Sequence, residues 1–207
     1  MSGDLLKTSL RVKTGIPGLD ELVEGGFIPS SAILLRGGSG AGKTIFGLQF
    51  LHYGALREEP GVLLSLEETA DELRREAARF GWDLEEQEKR GMLKIIEAKP
   101  WTESFKHTLA VERLENTARE VDARRVVVDS IPALFQMYLK EATPNEGARA
   151  LGQLAWKLTQ GLHATALFIT RVNGNGNSTI EEDVCRGVIE LRLRLVQGVV
   201  KRYLLVK

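Results

Sequence analysis

The chain has 207 residues, of which 43% are hydrophobic and 27% are charged, with Lys plus Arg equal to Asp plus Glu at 28 each. This length predicts a single domain over residues 1–207, and the balanced charge argues against a strongly basic nucleic-acid-binding protein. The one cysteine, Cys185, excludes an intramolecular disulfide and fits a reducing compartment. Since no apolar run reaches the ~18 residues of a membrane helix and the start lacks a signal-peptide pattern, we expect a cytoplasmic protein without membrane contacts.

Short apolar runs alternate with amphipathic helical stretches along most of the chain. The predicted strands are Ala32–Arg36, Val62–Leu66, Leu93–Glu97, Arg125–Asp129 and Thr165–Thr170, and their composition is typical of strands buried on both faces. Apolar residues recur at helical spacing between them, in the sets Leu73, Ala77 and Phe80; Leu114, Ala118 and Val121; and Leu151, Leu154, Ala155 and Leu158. The alternation predicts an α/β fold, with a mainly parallel sheet and helices on both faces.

The C-terminal part of the chain follows a different pattern. The segments Val188–Val196 and Val199–Val206 flank Gln197-Gly198, and charged and apolar residues alternate within them. This pattern predicts an antiparallel hairpin at one edge of the sheet. The Asn- and Gly-rich stretch Asn173–Ser178 predicts a flexible loop.

The most specific motif is the run from Gly37 to Thr44, Gly-Gly-Ser-Gly-Ala-Gly-Lys-Thr, which fits G-x-x-x-x-G-K-[ST] between a predicted strand and a predicted helix. Such a loop wraps its backbone N–H groups around phosphates. Lys43 is predicted to reach the β- and γ-phosphates and to take part in catalysis, and the Thr44 hydroxyl to ligate Mg²⁺. The alternative, a Gly-rich turn followed by a chance Lys-Thr, does not explain the strand and helix on either side. The predicted phosphate-binding residues are Gly38, Ser39, Gly40, Ala41, Gly42, Lys43, Thr44 and Ile45.

A second candidate metal ligand, Asp129, ends the apolar run Arg124–Ser130. A carboxylate at the carboxyl end of a parallel strand faces the ligand crevice of the sheet. Asp129 is therefore predicted to hold Mg²⁺ opposite Thr44, in the Walker B role. The alternative is that Asp129 caps the next helix, since Pro132 follows closely; the phosphate loop upstream favours the metal role.

Two adjacent acids, Glu67 and Glu68, follow the predicted strand Val62–Leu66. Phosphoryl transfer to water needs a group that orients the attacking water and accepts its proton, and a carboxylate at the end of such a strand meets that need. Alternatively, both acids lie in the first turn of the next helix, where Thr69 and Asp71 are natural caps and acids favour the helix dipole. The residues alone leave both interpretations open.

Five segments occur in an order that is specific to one family: Thr14–Leu22, Gly25–Pro29, the phosphate loop, Ser65–Thr69 and Phe80–Leu84. Together they resemble the KaiC-type branch of the RecA-like ATPases, and the resemblance extends from Thr8 to Lys207. It implies a RecA-like P-loop NTPase core that binds ATP rather than GTP. It also implies that Glu67 activates the attacking water with help from Glu68, that Arg79 contacts the base, and that the chain forms a ring, usually a hexamer, with ATP between neighbouring subunits.

The chain also departs from the family pattern at its last strand, which commonly ends Lys-x-Arg-Gly, with the Lys and Arg reaching the neighbour's γ-phosphate. The sequence ends at Lys207, so the Lys is present, and either the chain was cut or this part of the trans-acting site is missing. Since an arginine finger contributes ~10³ or more in rate, we expect slow hydrolysis. Arg171 stands where many relatives have Glu, and Arg186 where Asp is common. Thr170 is either a γ-phosphate sensor or an ordinary strand-terminal hydroxyl.

These observations predict a Mg²⁺-dependent ATPase that forms a ring and acts as a signalling or regulatory ATPase with a regulatory protein as partner. One alternative is an ATP-dependent assembly switch with negligible turnover. Another is a DNA-binding recombinase of the RecA or RadA kind, but the predicted loop Val172–Val184 carries three acids and no Lys or Arg, which argues against nucleic acid. Autokinase activity is not expected, because the chain has neither paired domains nor a tail that could carry a phosphorylation site.

Overall fold

The computed structural model describes residues 11–99, 106–135, 144–171 and 183–207. The strands are β1 (Ala32–Gly37), β2 (Gly61–Ser65), β3 (Leu93–Glu97), β4 (Arg125–Asp129), β5 (Thr165–Arg171), β6 (Gly187–Val196) and β7 (Val199–Val206). In this part of the chain they form one sheet in the order β3-β2-β4-β5-β1-β6-β7. All neighbouring strands are parallel except β6 and β7, which form the predicted antiparallel hairpin.

The helices cover both faces of the sheet. They are α1 (Leu19–Leu22), α2 (Lys43–Ala55), α3 (Ala70–Ala78), α4 (Leu84–Lys89), α5 (His107–Glu120), α6 (Ile131–Phe135) and α7 (Pro144–Trp156), the last continued by a π-helical turn at Lys157–Gly161. One core lies between the sheet and helices α1 to α4, and the other between the sheet and helices α5 to α7. Among the described residues, no helix has the length and apolar character needed to cross a membrane.

The predicted α/β architecture is confirmed, and three details differ. Strand β2 begins at Gly61 and ends at Ser65, one residue before the predicted bounds. Strand β3 is half-exposed because it forms an edge of the sheet, so the prediction of burial on both faces is wrong there. Phe80 is 53% exposed, because α3 ends at Ala78 and the left-handed Gly81 turns the chain away. The predicted flexible loop Asn173–Ser178 lies outside the described residues.

A fully buried arginine joins α2 to the sheet. The Arg125 side chain has no exposed surface, donates from Nε to Glu59 Oε2 at 2.8 Å and from Nη1 to the Phe50 carbonyl at 2.8 Å. Its guanidinium carbon lies 4.5 Å from the centre of the Phe50 ring. Gly54 makes this packing possible, since a Cβ there would lie 2.4 Å from Arg125 Cδ.

We expect Gly54→Ala to lower the free energy of unfolding by about 1–3 kcal/mol, because the added methyl group overpacks against the buried Arg125. The matched control is Gly152→Ala in α7, where a Cβ meets nothing within 4 Å. That substitution should raise the free energy of unfolding by up to about 1 kcal/mol, since Ala is the better helix former. Urea unfolding of both variants checks this, and equal stabilisation by the two substitutions would contradict the packing account.

Candidate functional site

The predicted phosphate loop connects the carboxyl end of β1 to the start of α2. Gly40 and Gly42 have φ angles of +71° and +96°, a left-handed backbone that residues with a Cβ rarely adopt. The loop therefore needs glycine at these two positions to turn sharply between strand and helix. Lys43 folds back over this loop, and its Nζ donates to the Gly38 carbonyl at 2.9 Å.

The two predicted metal ligands lie in direct contact. Thr44, in the first turn of α2, donates from Oγ1 to Asp129 Oδ2 at 2.7 Å, although 85 residues separate them in sequence. Asp129 is the last residue of β4 and is 9% exposed. Its carboxylate thus accepts from Thr44, whereas the first turn of α6 is closed by a bond from the Leu134 amide to the Ser130 carbonyl. The geometry favours the metal-ligand interpretation of Asp129 over the helix cap.

Glu67 and Glu68 lie between β2 and α3, outside the helix. Thr69 is the N-cap of α3, and it forms a capping box with Glu72 in which each side chain accepts a hydrogen bond from the other residue's backbone N–H. Glu67 and Glu68 are therefore not needed as helix-start acids. Both acids follow β2 at its carboxyl end, beside the end of β4, where Asp129 lies.

The Glu67 carboxylate is held at both oxygens. Ser130 Oγ donates to Oε1 at 2.7 Å, and Arg171 Nη2 donates to Oε2 at 2.9 Å. Ser130 follows the end of β4 and Arg171 ends β5, so two neighbouring parallel strands fix the orientation of one carboxylate. Neither residue was assigned a role from the sequence. Their signal is positional, since each lies at the same edge of the sheet as the candidate metal ligand Asp129.

The pKa values of Glu67 and Glu68 are shifted in opposite directions. Burial opposes ionisation of Glu67, but hydrogen bonds from Ser130 and Arg171 outweigh it and hold the pKa of Glu67 below its ordinary value. Burial raises the pKa of Glu68, and the nearby charge of Asp129 adds to this effect. Glu67 is therefore the carboxylate that stays ionised most readily, which is the form a proton acceptor needs.

Burial also shifts the pKa values of Lys43 and Asp129 at this edge. Burial lowers the pKa of Lys43, and the Asp129 carboxylate partly opposes this. Burial raises the pKa of Asp129, with the hydrogen bond from Thr44 acting in the opposite direction. A cation bound at Asp129 would compensate the buried negative charge.

The residues present fit a Mg²⁺ ion. Mg²⁺ takes oxygen ligands and is usually bound by one or two protein groups, with phosphate and water oxygens completing the shell. The Thr44 hydroxyl and the buried Asp129 carboxylate, 2.7 Å apart, are such a pair. In the described part of the chain, no group of three or more His, Cys, Asp or Glu side chains could hold a metal ion.

Two further predicted residues lie close to strand ends: Thr170 is the next-to-last residue of β5, and Lys207 follows β7. Thr170 is buried and lies beside Arg36 in the parallel register of β1 and β5. Lys207 lies beside Val188, and its Nζ is 3.2 Å from Glu190 Oε2. Glu190 also accepts from the buried Arg36 at 2.7 Å and from Arg192. Lys207 is thus part of an ion-pair network within its own chain.

Arg79, predicted to contact the base, is the C-cap of α3. Its Nη1 lies 2.9 Å from Glu76 Oε1, and 74% of its side chain is exposed. The contacts within the described residues do not bring Arg79 to the phosphate loop, so its role stays a prediction. The acidic loop Val172–Val184 lies outside the described residues, apart from Asp183 and Val184.

Comparison with known proteins identifies the family. The family model described as "ATPase: KaiC" matches residues 12–207. The chain belongs to the KaiC ATPase family. This KaiC-family chain is similar to a UPF0273 protein from Pyrococcus horikoshii, with 36% identity over 213 residues, which cover 95% of this chain and 83% of that protein. A circadian clock oscillator protein KaiC from Parathermosynechococcus lividus is 34% identical over 200 residues, which cover 92% of this chain and 36% of the clock protein.

A solved structure agrees with this assignment. The crystal structure of a KaiC-like protein from Pyrococcus horikoshii matches with a TM-score of 0.82 and 38% sequence identity, covering 96% of this chain and 88% of that one. The predicted resemblance to KaiC and the predicted RecA-like fold are therefore confirmed. Membership of the KaiC ATPase family implies that the chain binds a nucleotide.

The network around Glu190 predicts a pH-dependent stability. Arg192, together with Arg36 and Lys207, holds the pKa of Glu190 at about 2, against an ordinary value of 4.5. A carboxylate with a lowered pKa stabilises the fold fully above its ordinary value, and that stabilisation is lost as the pH falls toward the folded-state value. The ionised Glu190 therefore contributes above about pH 4.5 and loses this contribution toward pH 2.

We expect Glu190→Gln to lower the free energy of unfolding at pH 7 by about 3 kcal/mol, because it leaves the buried Arg36 without its carboxylate. The difference from the wild type should shrink as the pH falls below the ordinary carboxyl pKa. Urea unfolding at several pH values measures both effects. Glu24→Gln is the control, since the exposed pair of Glu24 with Arg11 contributes at most about 1 kcal/mol. A difference for Glu190→Gln that does not change with pH would contradict the account.

Proposed function

We propose that this chain is a Mg²⁺-dependent ATPase that hydrolyses ATP slowly in a ring, usually a hexamer, and that serves as a regulatory ATPase. The observation that carries the proposal is the contact between Thr44 and Asp129 at 2.7 Å, which joins the phosphate loop to the edge where Glu67 lies. Membership of the KaiC ATPase family supports the choice of ATP as the nucleotide.

The residues at this edge have separate roles in the proposed phosphoryl transfer: phosphate binding, metal binding and activation of water. The loop residues 38–45 bind the phosphates through backbone N–H groups, and Lys43 leaves the Gly38 carbonyl to bind the β- and γ-phosphates. Thr44 and Asp129 would hold Mg²⁺, which when bound neutralises charge on the β- and γ-phosphate oxygens. Glu67 orients a water molecule for attack on the γ-phosphorus and accepts its proton, while Ser130 keeps the carboxylate in place.

The position of Lys207 supports the proposal of a slow rate. In the proposed ring, Lys207 supplies a cation to the neighbouring subunit's γ-phosphate, and it must first leave Glu190, 3.2 Å away. With one trans-acting cation engaged in its own chain, transition-state charge is stabilised less well than in an ATPase with an arginine finger.

The same ion pair favours a second candidate function, an ATP-dependent assembly switch with negligible turnover. If Lys207 stays with Glu190 when subunits assemble, ATP bridges the subunits without being hydrolysed. The two candidates differ in one measurable respect, because only the ATPase releases phosphate in step with assembly.

Replacing the proposed base tests the ATPase directly. We expect Glu67→Gln to bind Mg²⁺-ATP at least as tightly as the wild type and to release phosphate at least ~10²-fold more slowly, the usual contribution of a general base. The control is Glu85→Gln in the first turn of α4, which should leave both quantities unchanged. Phosphate release from Glu67→Gln at the wild-type rate would contradict the assignment of the base.

Mixing two inactive variants tests whether the site is shared between subunits. Glu67→Gln lacks the base, and Lys207→Ala lacks the trans-acting cation. When the two are mixed, some interfaces combine an intact Glu67 with a neighbour's intact Lys207, so we expect phosphate release above that of either variant alone. The control is a double variant that carries both Glu67→Gln and Lys207→Ala in one chain. A ring of this variant has no interface with an intact Glu67 and an intact Lys207. No recovery in the mixture, with both variants shown to assemble, would contradict a shared site.

A further inference from the structure

Arg171 lies where the phosphates of a bound nucleotide are expected. It is the last residue of β5 and is paired in register with Gly37, the first residue of the phosphate-loop motif. Its guanidinium donates to Glu67, whose other carboxylate oxygen accepts from Ser130, the residue after Asp129. Its side chain is 64% exposed, so a ligand can reach it without rearrangement of the core.

The guanidinium has more donors than its present contact uses. An arginine carries five N–H donors in a planar fork that suits phosphate and carboxylate oxygens. Among the described residues, Arg171 donates from Nη2 to Glu67 Oε2 at 2.9 Å. Glu67 is itself 39% exposed, so this is an ion pair at the mouth of the site. Such a pair is weak enough in water to be exchanged for a stronger anion.

A γ-phosphate is that stronger anion. It carries more negative charge than one carboxylate, and several of its oxygens can accept from the same guanidinium. Arg171 ends β5 beside Gly37, where the phosphate loop begins, and Lys43 lies over the same loop. A triphosphate bound at Lys43 would therefore compete with Glu67 for the Arg171 guanidinium. A diphosphate lacks the group that would compete for Arg171.

We propose that Arg171 is a γ-phosphate ligand from the same subunit, and that Glu67 and the triphosphate compete for its guanidinium. The inference rests on the proposed function and deepens it by assigning the residue that distinguishes ATP from ADP. It also links substrate recognition to catalysis. When Arg171 moves to the phosphate, Glu67 Oε2 is released to accept the proton of water, while Ser130 still holds Oε1 at 2.7 Å.

Equilibrium binding of two probes tests the inference without turnover. Isothermal titration calorimetry with Mg²⁺-AMPPNP, a non-hydrolysable triphosphate, and with Mg²⁺-ADP should show that Arg171→Ala weakens the triphosphate at least about tenfold, as expected for a lost charge-assisted hydrogen bond. Binding of ADP should change by less than about twofold, and Arg171→Lys should recover part of the triphosphate affinity. The control is Arg124→Ala, which should leave both affinities unchanged. Arg124 is an exposed, ion-paired arginine that precedes β4, at the end of the strand opposite to Asp129.

A double-mutant cycle tests the competition. Glu67→Gln should tighten triphosphate binding, because it releases Arg171 and removes a negative charge. In the Arg171→Ala background only the charge effect remains, so the tightening should be clearly smaller. Equal tightening in both backgrounds, or equal weakening of triphosphate and diphosphate by Arg171→Ala, would overturn the inference while leaving the ATPase proposal intact. Failure of the wild type to bind either nucleotide would overturn both.

Discussion

The hydrogen bond from Thr44 to Asp129 is the contact on which the site depends. It joins the first turn of α2 to the end of β4 over a distance of 2.7 Å. This contact exists because β1, β4 and β5 are parallel neighbours, so their carboxyl ends, and the loops that follow, meet at one edge. The glycines of the phosphate loop allow the chain to turn back toward that edge, and the buried Arg125 fixes α2 against the sheet from the other end.

The edge combines acidic and basic groups whose tendencies to ionise differ. Glu67 stays ionised because Ser130 and Arg171 donate to it, whereas burial favours the neutral form of Glu68. Burial also disfavours the charged forms of Lys43 and Asp129. Such a site is stabilised by ligands of opposite charge, namely phosphate for the cations and a divalent cation for Asp129. The pKa shifts at this edge and its proposed binding of phosphate and Mg²⁺ therefore both follow from the burial of charged groups.

Much of the site could be predicted from the sequence, because its parts follow from local patterns. An apolar strand before a glycine loop predicts the phosphate site, and an apolar strand that ends in Asp129 predicts the metal ligand. The contacts of Ser130 and Arg171 with Glu67 could not be predicted, since they depend on strand order and register across the sheet. The ion pair of Lys207 with Glu190 has the same origin, in the register of the terminal hairpin. For Phe80 the local pattern was misleading. Its spacing from Leu73 and Ala77 predicts a buried helical position, but α3 ends at Ala78 and Phe80 is exposed.

The central claim is that the edge formed by the phosphate loop, Asp129 and Glu67 binds a nucleoside triphosphate. Equilibrium titration of the wild type and of Lys43→Ala with Mg²⁺-ATP tests this claim most directly. We expect the wild type to bind and Lys43→Ala to lose at least about tenfold in affinity, because the variant lacks the cation for the β- and γ-phosphates. Equal affinity of the two proteins for Mg²⁺-ATP would place the nucleotide elsewhere and contradict the account.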